Sequence, residues 1–590
     1  MIRDYFRILA VDLATGKGSV LSVDGRDTVA GGSGLAALLF RKYAHFDRPW
    51  HDADQPLIFA IGPLTGYFPL MSKTVCAFKS PYHDQYAESH AGGRSALALR
   101  FADIDGLVIT GKARRPSCLF VGSRGLELRE IHYLWGMDVQ VTGRMLRHMF
   151  KGSGHRSILR IGPAGENRSP MACINVDTYR HFGRLGSGAV MGDKNLKGIV
   201  IQGDGIFELM ENKAYPKLFK EVHDKLVDTD MMSKYHNLGT AANVALLNKI
   251  NALPVSNLQQ TSHPAIAGIT GETFADKALL RNAACAGCPV GCIHIGFLRE
   301  RFQEENRYVY RQIAYDHEPI FAQGSMLGVT DSFEVLSLFD VTEKAGLDVI
   351  SSGVALAWAT EALEKGLIAE KETIVPLRFG NAKTYKDALQ HLALGSNDFY
   401  RMLSQGTGKA ARHYGGEDFA CVLGQEMSGY ATGEIFIVSQ ALGLRHSHLD
   451  TTGYAYDQKT DKNDVEEALQ FFLDDEQYRV FLTSMVACLF ARNVYTGEVL
   501  SECLHSLGYQ VLADGIERVS GQIRKLRWEN RIATGFDPQA VSIPKRFTEV
   551  TTWKGSINRD FLMKLKDAYA RKILELGGNP EPADPAQKIM

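Results

Sequence analysis

The sequence predicts an α+β fold, in which a sheet-rich N-terminal part is followed by a longer and mainly helical part. Short alternating or apolar runs, separated by glycine-containing turns, fill roughly the first 205 residues. From about residue 209 onward, apolar residues instead recur at the three- to four-residue spacing of amphipathic helices. A chain of 590 residues is also long enough for roughly two to four domains.

Strands are predicted throughout the first part. Residues 7–12 and 19–23 form a hairpin around the turn sequence Ala-Thr-Gly-Lys-Gly, and residues 118–121 and 126–131 form a second hairpin around Ser-Arg-Gly. Further buried strands are expected at residues 106–110 and 198–203. These elements make the N-terminal part a β-sheet domain.

Helices dominate after residue 209. The clearest is Ser332–Ala345, for which Asp331 is the expected N-cap and Gly346 the expected stop. Further helices are predicted at residues 351–365, 386–394 and 464–492. The tail, residues 577–590, is rich in glycine and proline and is predicted to be frayed.

Charge and composition exclude several classes of protein. The 66 basic and 67 acidic residues give a net charge of −1, so no general attraction to nucleic acid or to anionic membrane is expected. No apolar run reaches the ~20 residues of a membrane span, and the N-terminus lacks the apolar core of a secretory signal. Nine unevenly spaced cysteines indicate reduced thiols. We therefore expect a cytoplasmic protein.

The strongest local motif is a C-x2-C-x3-C run formed by Cys285, Cys288 and Cys292. Three thiolates at this spacing are typical of an iron–sulfur cluster, which takes four cysteines. We prefer Cys488 to Cys503 as the fourth ligand. Structural zinc is the open alternative, because zinc also accepts four thiolates.

Two glycine-rich stretches, residues 161–167 and 183–197, carry arginine and lysine among their glycines. Backbone N–H groups at close range together with a forked cation are what a phosphate-bearing cofactor requires. Residues 88–94 have the same character. A turn-rich sheet without any cofactor would explain each stretch equally well when it is taken alone.

Taken together, these segments resemble the tungsten-containing aldehyde:ferredoxin oxidoreductase family from the first hairpin to about residue 550. The most specific similarities are residues 101–113, 160–167, 183–199, 285–292 and 345–353. The resemblance implies tungsten, or molybdenum, held by two pterin dithiolenes beside a 4Fe–4S cluster. It also implies a pterin-binding domain at 1–208, a helical domain with the C-x2-C-x3-C motif at 209–405, and a helical domain with the fourth cysteine at 406–590.

The resemblance carries over to individual residues. The implied cluster ligands are Cys285, Cys288, Cys292 and Cys488. The implied cofactor-binding residues are Lys73, His90, Gly92, Gly93, Arg184, Leu185, Gly186, Gly188, Glu343, Gly346, Leu347 and Asp348. Some of them depart from the family pattern: Glu343 replaces aspartate, Lys73 replaces arginine, and His90 replaces an asparagine whose backbone carbonyl helps to hold Mg²⁺ between the pterin phosphates.

Two further matches concern catalysis. Glu318 lies in a segment similar to the family's Glu-Tyr-Glu and is the implied proton-transfer carboxylate. His448 matches a histidine that hydrogen-bonds the substrate carbonyl. An ordinary ion pair or a satisfied buried histidine is the alternative for each residue.

The resemblance thus implies oxidation of aldehydes to carboxylates. Electrons would pass through the cluster to ferredoxin or to a ferredoxin-like iron–sulfur subunit, a flavin subunit is a further candidate partner, and we expect an oligomer. Two alternatives are open. One is a low-potential reductase of the same family, for example an enzyme that reduces the aromatic ring of a coenzyme A thioester. The other is a zinc-stabilised binding protein without redox function.

Overall fold

The N-terminal part is built on two six-stranded sheets in the computed structural model, which describes residues 3–206, 214–301 and 307–578. The strands are β1 (Phe6–Asp12), β2 (Lys17–Val23), β3 (Leu57–Ala60), β4 (Thr74–Lys79), β5 (Tyr86–Ala91), β6 (Gly106–Thr110), β7 (Ser117–Gly122), β8 (Leu126–Glu130), β9 (His155–Arg160), β10 (Ile174–Val176), β11 (Arg180–Phe182) and β12 (Leu196–Gly203). The α-helices among them are α1 (Arg26–Val29), α2 (Gly32–Tyr43), α3 (Ser95–Phe101), α4 (Val139–Met149), α5 (Pro163–Glu166) and α6 (Ser187–Asp193), with a 3₁₀ turn at His132–Leu134.

Both sheets are mixed. The first has the order β2-β1-β6-β3-β4-β5, and only its β1–β6 pair is parallel. The second has the order β11-β10-β9-β12-β7-β8, with β12 and β7 parallel. Side chains such as Leu9 and Phe59 from the first sheet share one apolar core with Leu119 and Ile199 from the second. The predicted strands and both predicted hairpins are confirmed.

The remainder of the chain is mainly helical. Its α-helices are α7 (Ala214–Val227), α8 (Asp230–Asn237), α9 (Ala242–Lys249), α10 (Gly271–Lys277), α11 (His317–Gln323), α12 (Ser332–Ala345), α13 (Val349–Glu364), α14 (Glu370–Thr373), α15 (Ala382–Leu394), α16 (Asp398–Ser404), α17 (Thr407–Tyr414), α18 (Glu434–Leu442), α19 (Gly453–Asp457), α20 (Val465–Ser484), α21 (Gly497–Ser506), α22 (Gln510–Asp514), α23 (Ile516–Ala533), α24 (Arg546–Glu549) and α25 (Arg559–Gly577). Short 3₁₀ turns lie at Gly239–Ala241, Pro264–Ile269, Ser325–Leu327, Glu417–Phe419 and Leu489–Ala491. The strands are β13 (Leu279–Ala283), β14 (Ile293–Arg301), β15 (Tyr308–Tyr315), β16 (Val422–Leu423), β17 (Gln425–Glu426), β18 (Thr551–Thr552) and β19 (Gly555–Ser556).

Helix α12 has the predicted bounds because its end signals are local. The Asp331 side chain accepts hydrogen bonds from the backbone N–H groups of Phe333 and Glu334, which satisfies two donors of the first turn. At the other end, Gly346 adopts the left-handed conformation (φ 71°) that stops a helix. The predicted α+β fold class is therefore confirmed in outline and, for α12, in its boundaries.

Two predicted helix boundaries in this part need correction, and one small sheet was not predicted. Strands β13–β15 form a small antiparallel sheet within this mainly helical part, at positions where no strand was predicted. Helix α15 begins at Ala382, four residues before the predicted start, because Asn381 caps it. The helix predicted at 464–492 ends at Ser484, since the chain turns there and carries Cys488 to a cavity wall. Of the predicted frayed tail, Gly577 still belongs to α25, and residues 579–590 lie outside the described part of the chain.

Helices from the C-terminal region pack directly on the N-terminal part. Helix α2 contacts α20 and α23, and one continuous apolar core includes Phe40 of α2, Tyr86 of β5 and Trp528 of α23. A buried ion pair joins the same elements, with Arg527 Nε 2.7 Å from Glu88 Oε1. None of the helices among the described residues is long and apolar enough to cross a bilayer.

Candidate active site

A cavity of about 430 Å³ lies where the N-terminal sheets meet the helical part. Its wall comes from β5, the loop before α6, the β13–β14 loop, the start of α11, the start of α13, and residues 445–449 and 483–492. Segments far apart in sequence therefore face one another across a single space.

The four predicted cluster cysteines all line this cavity: Cys285, Cys288, Cys292 and Cys488. Three of them lie on the β13–β14 loop, which turns through Gly287 (φ 65°) and Gly291 (φ 63°). Both glycines adopt the left-handed conformation that residues with a Cβ avoid. The loop can therefore bend back twice within eight residues and direct three thiols toward the same space.

The fourth cysteine is held by a strained turn. Val486 has φ 56°, which is rare for a β-branched residue, and its carbonyl accepts a hydrogen bond from Lys73 N–H at 3.2 Å. The backbone N–H of Cys488 donates to the Leu70 carbonyl at 2.9 Å. These two bonds fix residues 486–488 beside the chain at residues 70–73. Cys503, by contrast, is fully buried on α21 and is not part of the cavity wall.

Cations surround the thiols. Arg180 Nη2 lies 3.7 Å from Cys292 Sγ, and its buried Nε has no hydrogen-bond partner within the described structure. Burial raises the pKa values of Cys288 and Cys292 to about 12 and about 11. For Cys285, burial acts in the same direction, but Arg180 and Lys73 outweigh it and lower the pKa.

The space beside Cys285 depends on Gly92. A Cβ atom at this position would lie 2.7 Å from Cys285 Sγ, closer than real Cβ atoms approach a neighbour. Across residues 3–206, 214–301 and 307–578, no three His, Cys, Asp or Glu side chains are close enough together to hold a single metal ion.

Arg184 is also part of the cavity wall. Its guanidinium donates to Asp348 Oδ2 at 3.2 Å, to Ser351 Oγ at 3.3 Å and to the Glu426 carbonyl at 2.8 Å. The remaining nitrogen, Nη1, is buried and has no partner in the described part of the chain. A buried, unsatisfied guanidinium nitrogen of this kind is suited to an anionic group such as a phosphate.

The loop after Arg184 is conformationally strained. Leu185 (φ 69°) and Gly186 (φ 86°) are consecutive residues in the left-handed region, and Leu185 lines the cavity. Gly186 and Gly188 do not reach the cavity. They allow close backbone packing instead, because a Cβ at Gly188 would lie 2.5 Å from the Cys173 carbonyl oxygen.

Residues of the segment from Glu343 to Asp348 face two different spaces. Asp348 lines the cavity and caps α13 by accepting the backbone N–H groups of Ile350 and Ser351. Gly346 and Leu347 are buried but do not line the cavity. Glu343 accepts hydrogen bonds from His181 (2.7 Å) and Asn175 (3.0 Å) and faces a neighbouring groove.

His90, at the end of β5, is held by its neighbours. Its Nε2 lies 3.0 Å from Glu88 Oε2, and its Nδ1 lies 3.2 Å from Arg445 Nη1. Burial lowers the pKa of His90 to about 4, with Arg445 acting in the same direction. The ring is therefore neutral near pH 7.

Glu318 and His448 meet at the cavity wall. His448 Nε2 lies 3.1 Å from Glu318 Oε1, and the Tyr430 hydroxyl donates to the same oxygen at 2.8 Å. The other ring nitrogen of His448, Nδ1, is buried without a partner in the described residues. An ionisable carboxylate, an imidazole and a phenol are thus assembled in one hydrogen-bonded group.

The pKa values of the two carboxyl groups at the start of α11 are shifted in opposite directions. Burial opposes ionisation of Glu318, but His448, His317 and Tyr430 outweigh it and hold its pKa well below the ordinary value. Burial and the adjacent Glu318 raise the pKa of Asp316. Asp316 therefore takes up a proton more readily than Glu318, which stays ionised at neutral pH.

Of the predicted cofactor-binding and catalytic residues, those that line the cavity are Lys73, His90, Gly92, Arg184, Leu185, Asp348, Glu318 and His448. Those outside its wall are Gly93, Gly186, Gly188, Glu343, Gly346 and Leu347. Sequence reasoning missed Arg180 and Tyr430. No motif marks either residue, because the role of each depends on contacts with residues more than 100 positions away.

Two family models match, and together they cover most of the chain. The N-terminal domain of aldehyde ferredoxin oxidoreductase matches residues 8–203, and its domains 2 and 3 match residues 217–583. These matches define the class, a family of oxidoreductases with an α+β architecture. The chain belongs to the aldehyde ferredoxin oxidoreductase family.

Curated relatives agree with this assignment. The chain is 28% identical over 619 residues to the tungsten-containing aldehyde ferredoxin oxidoreductase of Pyrococcus furiosus, covering 100% of this chain and 98% of the relative. It is also 28% identical over 559 residues to the enzyme of the same name from Pyrococcus horikoshii, covering 91% and 90%. The WOR-like subunit of an aliphatic sulfonate oxidoreductase from Pyrococcus furiosus is 28% identical over 467 residues, covering 76% and 72%.

A solved structure shares the fold. It is the active site complex BamBC of benzoyl coenzyme A reductase with bound 1,5-dienoyl-CoA. The TM-score is 0.79 at 19% sequence identity, covering 97% of this chain and 95% of the other. At this identity, the similarity establishes the fold alone.

Proposed function

We propose that this protein oxidises aldehydes to carboxylates with a tungsten, or molybdenum, bis-pterin cofactor and a 4Fe–4S cluster. The balanced reaction converts an aldehyde and water into a carboxylate, three protons and two electrons. When bound, the metal–pterin would supply two-electron redox chemistry, and the cluster would supply single-electron transfer. The curated relatives with this activity and their nearly complete alignment support the assignment.

The residues present fit these groups. Four thiols around one cavity match the ligand count of a 4Fe–4S cluster, and Arg180 would offset part of its negative charge. The unsatisfied Arg184 Nη1 and the side chain of Lys73 would bind phosphate-bearing pterins. The backbone carbonyl of His90 would help to hold Mg²⁺, and this role does not depend on the side chain at position 90.

Glu318 and His448 are proposed to act on the substrate. Glu318 is held as a carboxylate, so it can accept a proton from water or from product at neutral pH. His448 uses Nε2 toward Glu318, which leaves Nδ1 for the substrate oxygen. It can donate from both nitrogens only when both are protonated. The imidazolium form would thus polarise the carbonyl and stay paired with Glu318.

One observation carries the proposal: the four thiols and the Glu318–His448 pair line the same cavity in a chain of this family. Elemental analysis of anaerobically purified protein, followed by an aldehyde–viologen assay, tests it. We expect tungsten or molybdenum together with about four irons per chain and dye reduction that requires aldehyde. If the protein contains only zinc and reduces no dye, the proposal is wrong and the chain is better explained as a zinc-stabilised binding protein.

The proposed acceptor is ferredoxin or a ferredoxin-like iron–sulfur subunit, with a flavin subunit as a further candidate. Gly287 and Pro289 on the cysteine loop are exposed, so a partner can approach the cluster ligands closely. We also propose a cytoplasmic location and an oligomeric state. Reduction of a purified ferredoxin by the holoenzyme and aldehyde tests the electron route directly.

A second candidate keeps the cofactors and reverses the direction of electron flow, as in low-potential reduction of a coenzyme A thioester. The shared fold with the benzoyl coenzyme A reductase complex is consistent with it. A groove of about 730 Å³ beside the cavity is the specific observation in its favour, because a small aldehyde would not fill that space. Oxidation of dienoyl-CoA with viologen as acceptor would distinguish this candidate from aldehyde oxidation.

A further inference from the structure

Asp316, the residue before α11, borders two spaces. It belongs to the wall of the proposed reaction cavity and also to the wall of the neighbouring groove of about 730 Å³. Exposed side chains such as Arg147 and Tyr310 line the same groove, so it is open to solvent. Glu318 lines the cavity but not the groove. Among the described residues, Asp316 is therefore the only acid that lines both spaces.

The side chain of Asp316 is not used to hold the fold together. Its backbone carbonyl accepts the Ile320 N–H at 3.2 Å as the N-cap of α11, but its carboxylate caps no backbone N–H group. The N–H of His317 donates instead to the Thr240 hydroxyl at 3.1 Å. Oδ1 of Asp316 is buried and has no hydrogen-bond partner in the part of the chain that the structure describes. A buried acid that is left unbonded in this way indicates a functional role.

Proton affinity differs between Asp316 and Glu318. Burial raises the pKa of Asp316, and the Glu318 carboxylate acts in the same direction. Arg180 and His181 of β11 act in the opposite direction without outweighing these two effects. The pKa of Glu318 is held below its ordinary value. A proton moves favourably from the group with the lower pKa to the group with the higher pKa, here from Glu318 to Asp316.

Two other charged residues of the groove wall are paired away from Asp316. Arg311 of β15 lies 3.0 Å from Asp340 Oδ2, and Glu343 of α12 lies 2.7 Å from His181 Nε2. Neither makes a hydrogen bond or an ion pair with Asp316 within the described residues. The Asp316 carboxyl group is thus free to exchange a proton with water in the groove.

We propose that Asp316 is a proton-relay residue, which receives the proton collected by Glu318 and releases it to water in the groove. The O–H bond of protonated Glu318 breaks and an O–H bond forms on Asp316, directly or through one water molecule. Asp316 then passes the proton to groove water, which restores both carboxylates without any movement of electrons. Asp316 acts through Glu318 and does not touch the substrate. The inference rests on the proposed function, because it takes Glu318 to accept the protons which that reaction releases.

The first test measures aldehyde–viologen turnover at different buffer concentrations. In dilute buffer, Asp316→Asn should lower kcat by about tenfold or more, because it removes the carboxyl group that carries the proton away. KM and the metal and iron contents should stay unchanged. Imidazole, a small proton carrier that can enter the groove, should restore much of the lost rate. Asp316→Glu keeps a carboxyl group and should retain most of the wild-type rate.

The second test needs no turnover. Infrared spectra of the purified protein follow the carboxyl C=O band as pH is changed, with isotopically labelled aspartate to distinguish aspartic from glutamic acids. We expect an aspartic acid band that titrates above the ordinary pKa of about 3.9 and that is absent from Asp316→Asn. Its midpoint should move to lower pH in Glu318→Gln, because a neighbouring negative charge is removed.

The matched control is Glu476→Gln on α20. Glu476 is also a buried acid, only 2% exposed, and burial raises its pKa to about 7. It lies outside the walls of the cavity and the groove. This variant should therefore have the kcat of the wild type and the same response to buffer.

Three results would overturn the relay: normal turnover of Asp316→Asn in dilute buffer, a loss of rate that imidazole does not relieve, or an Asp316 titration that is unchanged by Glu318→Gln. A protein that oxidises no aldehyde but shows the coupled titration of Asp316 would contradict the proposed function and support proton exchange between the two acids. An aldehyde-oxidising enzyme whose Asp316→Asn variant turns over normally would contradict this inference alone.

Discussion

The orientation of the Glu318 carboxylate is set by its contacts with His448 and Tyr430. Both of its hydrogen-bonding partners, His448 and Tyr430, contact Oε1, so neither of them occupies Oε2. The carboxylate is thereby fixed in orientation while one oxygen stays available to the cavity. Orientation of this kind matters for catalysis, because a general base must lie within hydrogen-bond reach of the proton that it accepts.

The first prediction tests this carboxylate. Glu318→Gln keeps the size and much of the hydrogen bonding but cannot ionise, so turnover should fall by ~10²–10⁴. Tungsten and iron contents should stay near those of the wild type. Stopped-flow reduction of the cluster by aldehyde measures the effect, and a wild-type rate would mean that the carboxylate is a bystander. His448→Asn should slow turnover by a similar order, because it removes a donor to the substrate oxygen.

The second prediction separates positioning from chemistry. Tyr430→Phe removes a donor to the ionised form of Glu318, so the pKa of Glu318 should rise. The acidic limb of the kcat/KM profile should then move to higher pH, while metal and iron contents stay unchanged. Tyr454→Phe is the control, because the Tyr454 ring stacks on Tyr430 with centroids 4.3 Å apart but makes no hydrogen bond to Glu318 within the described residues. If kcat falls but the pH profile does not move, Tyr430 contributes to packing and does not tune the pKa of Glu318.

At the scale of elements, two loops decide the proposed cluster site. The β13–β14 loop supplies three thiols within eight residues, and the turn after α20 supplies the fourth. The first loop was recognisable from its cysteine spacing. The second loop was predicted as helix, because the apolar periodicity of α20 continues past Ser484. In the structure the helix ends at Ser484, and the backbone N–H of Cys488 donates to the distant Leu70 carbonyl instead.

The third prediction compares two cysteines. Cys288→Ser should remove most of the iron and the visible absorbance, because a hydroxyl is a poor substitute for a soft thiolate ligand. Cys503→Ser should leave both intact, since Cys503 is buried on α21 away from the cavity. Iron analysis and absorption spectra of the anaerobically purified variants measure the difference. Loss of iron in the Cys503 variant, with iron retained in Cys488→Ser, would reverse the assignment of the fourth ligand.

On the scale of the whole molecule, the two parts of the chain are joined by buried polar pairs as well as by apolar packing. Glu88 of β5 is fully buried and receives Arg527 of α23 at 2.7 Å, the Tyr86 hydroxyl at 2.6 Å and His90. Burial opposes ionisation of Glu88, but Arg527 and His90 outweigh it and hold its pKa well below the ordinary value. The network fixes the end of β5 that carries His90 into the cavity.

The fourth prediction concerns this pair. Arg527→Leu leaves the Glu88 charge buried without its main partner and should cost about 3–5 kcal/mol of stability. Because the pKa of Glu88 is depressed, its contribution is present above the ordinary carboxyl pKa and is lost as pH falls. The deficit should therefore be largest near pH 7 and shrink below about pH 4. Denaturant midpoints across pH measure it.

The control is Arg518→Leu on the same helix, because this arginine is exposed and its guanidinium donates a hydrogen bond to the exposed Gln522 side chain at 3.3 Å. Its effect should stay within about 0.5 kcal/mol. Equal midpoints for the two variants would mean that the Glu88–Arg527 pair contributes nothing beyond a surface charge.

The amino-acid sequence by itself determined the features whose signals are local. The strand hairpins, helix α12 with its caps, and the C-x2-C-x3-C loop depend on residues within a few positions of one another. Ordered glycine-rich motifs also led to the family that the later matches established.

Tertiary structure alone decided the rest. The β13–β15 sheet, the end of α20 and the roles of Arg180 and Tyr430 depend on partners distant in the chain. The groove beside the cavity is likewise lined by both α4 and β15, which are far apart in the sequence. Periodicity and propensity report on neighbours along the chain, whereas a cavity wall depends on which distant segments pack together, and no local signal carries that information.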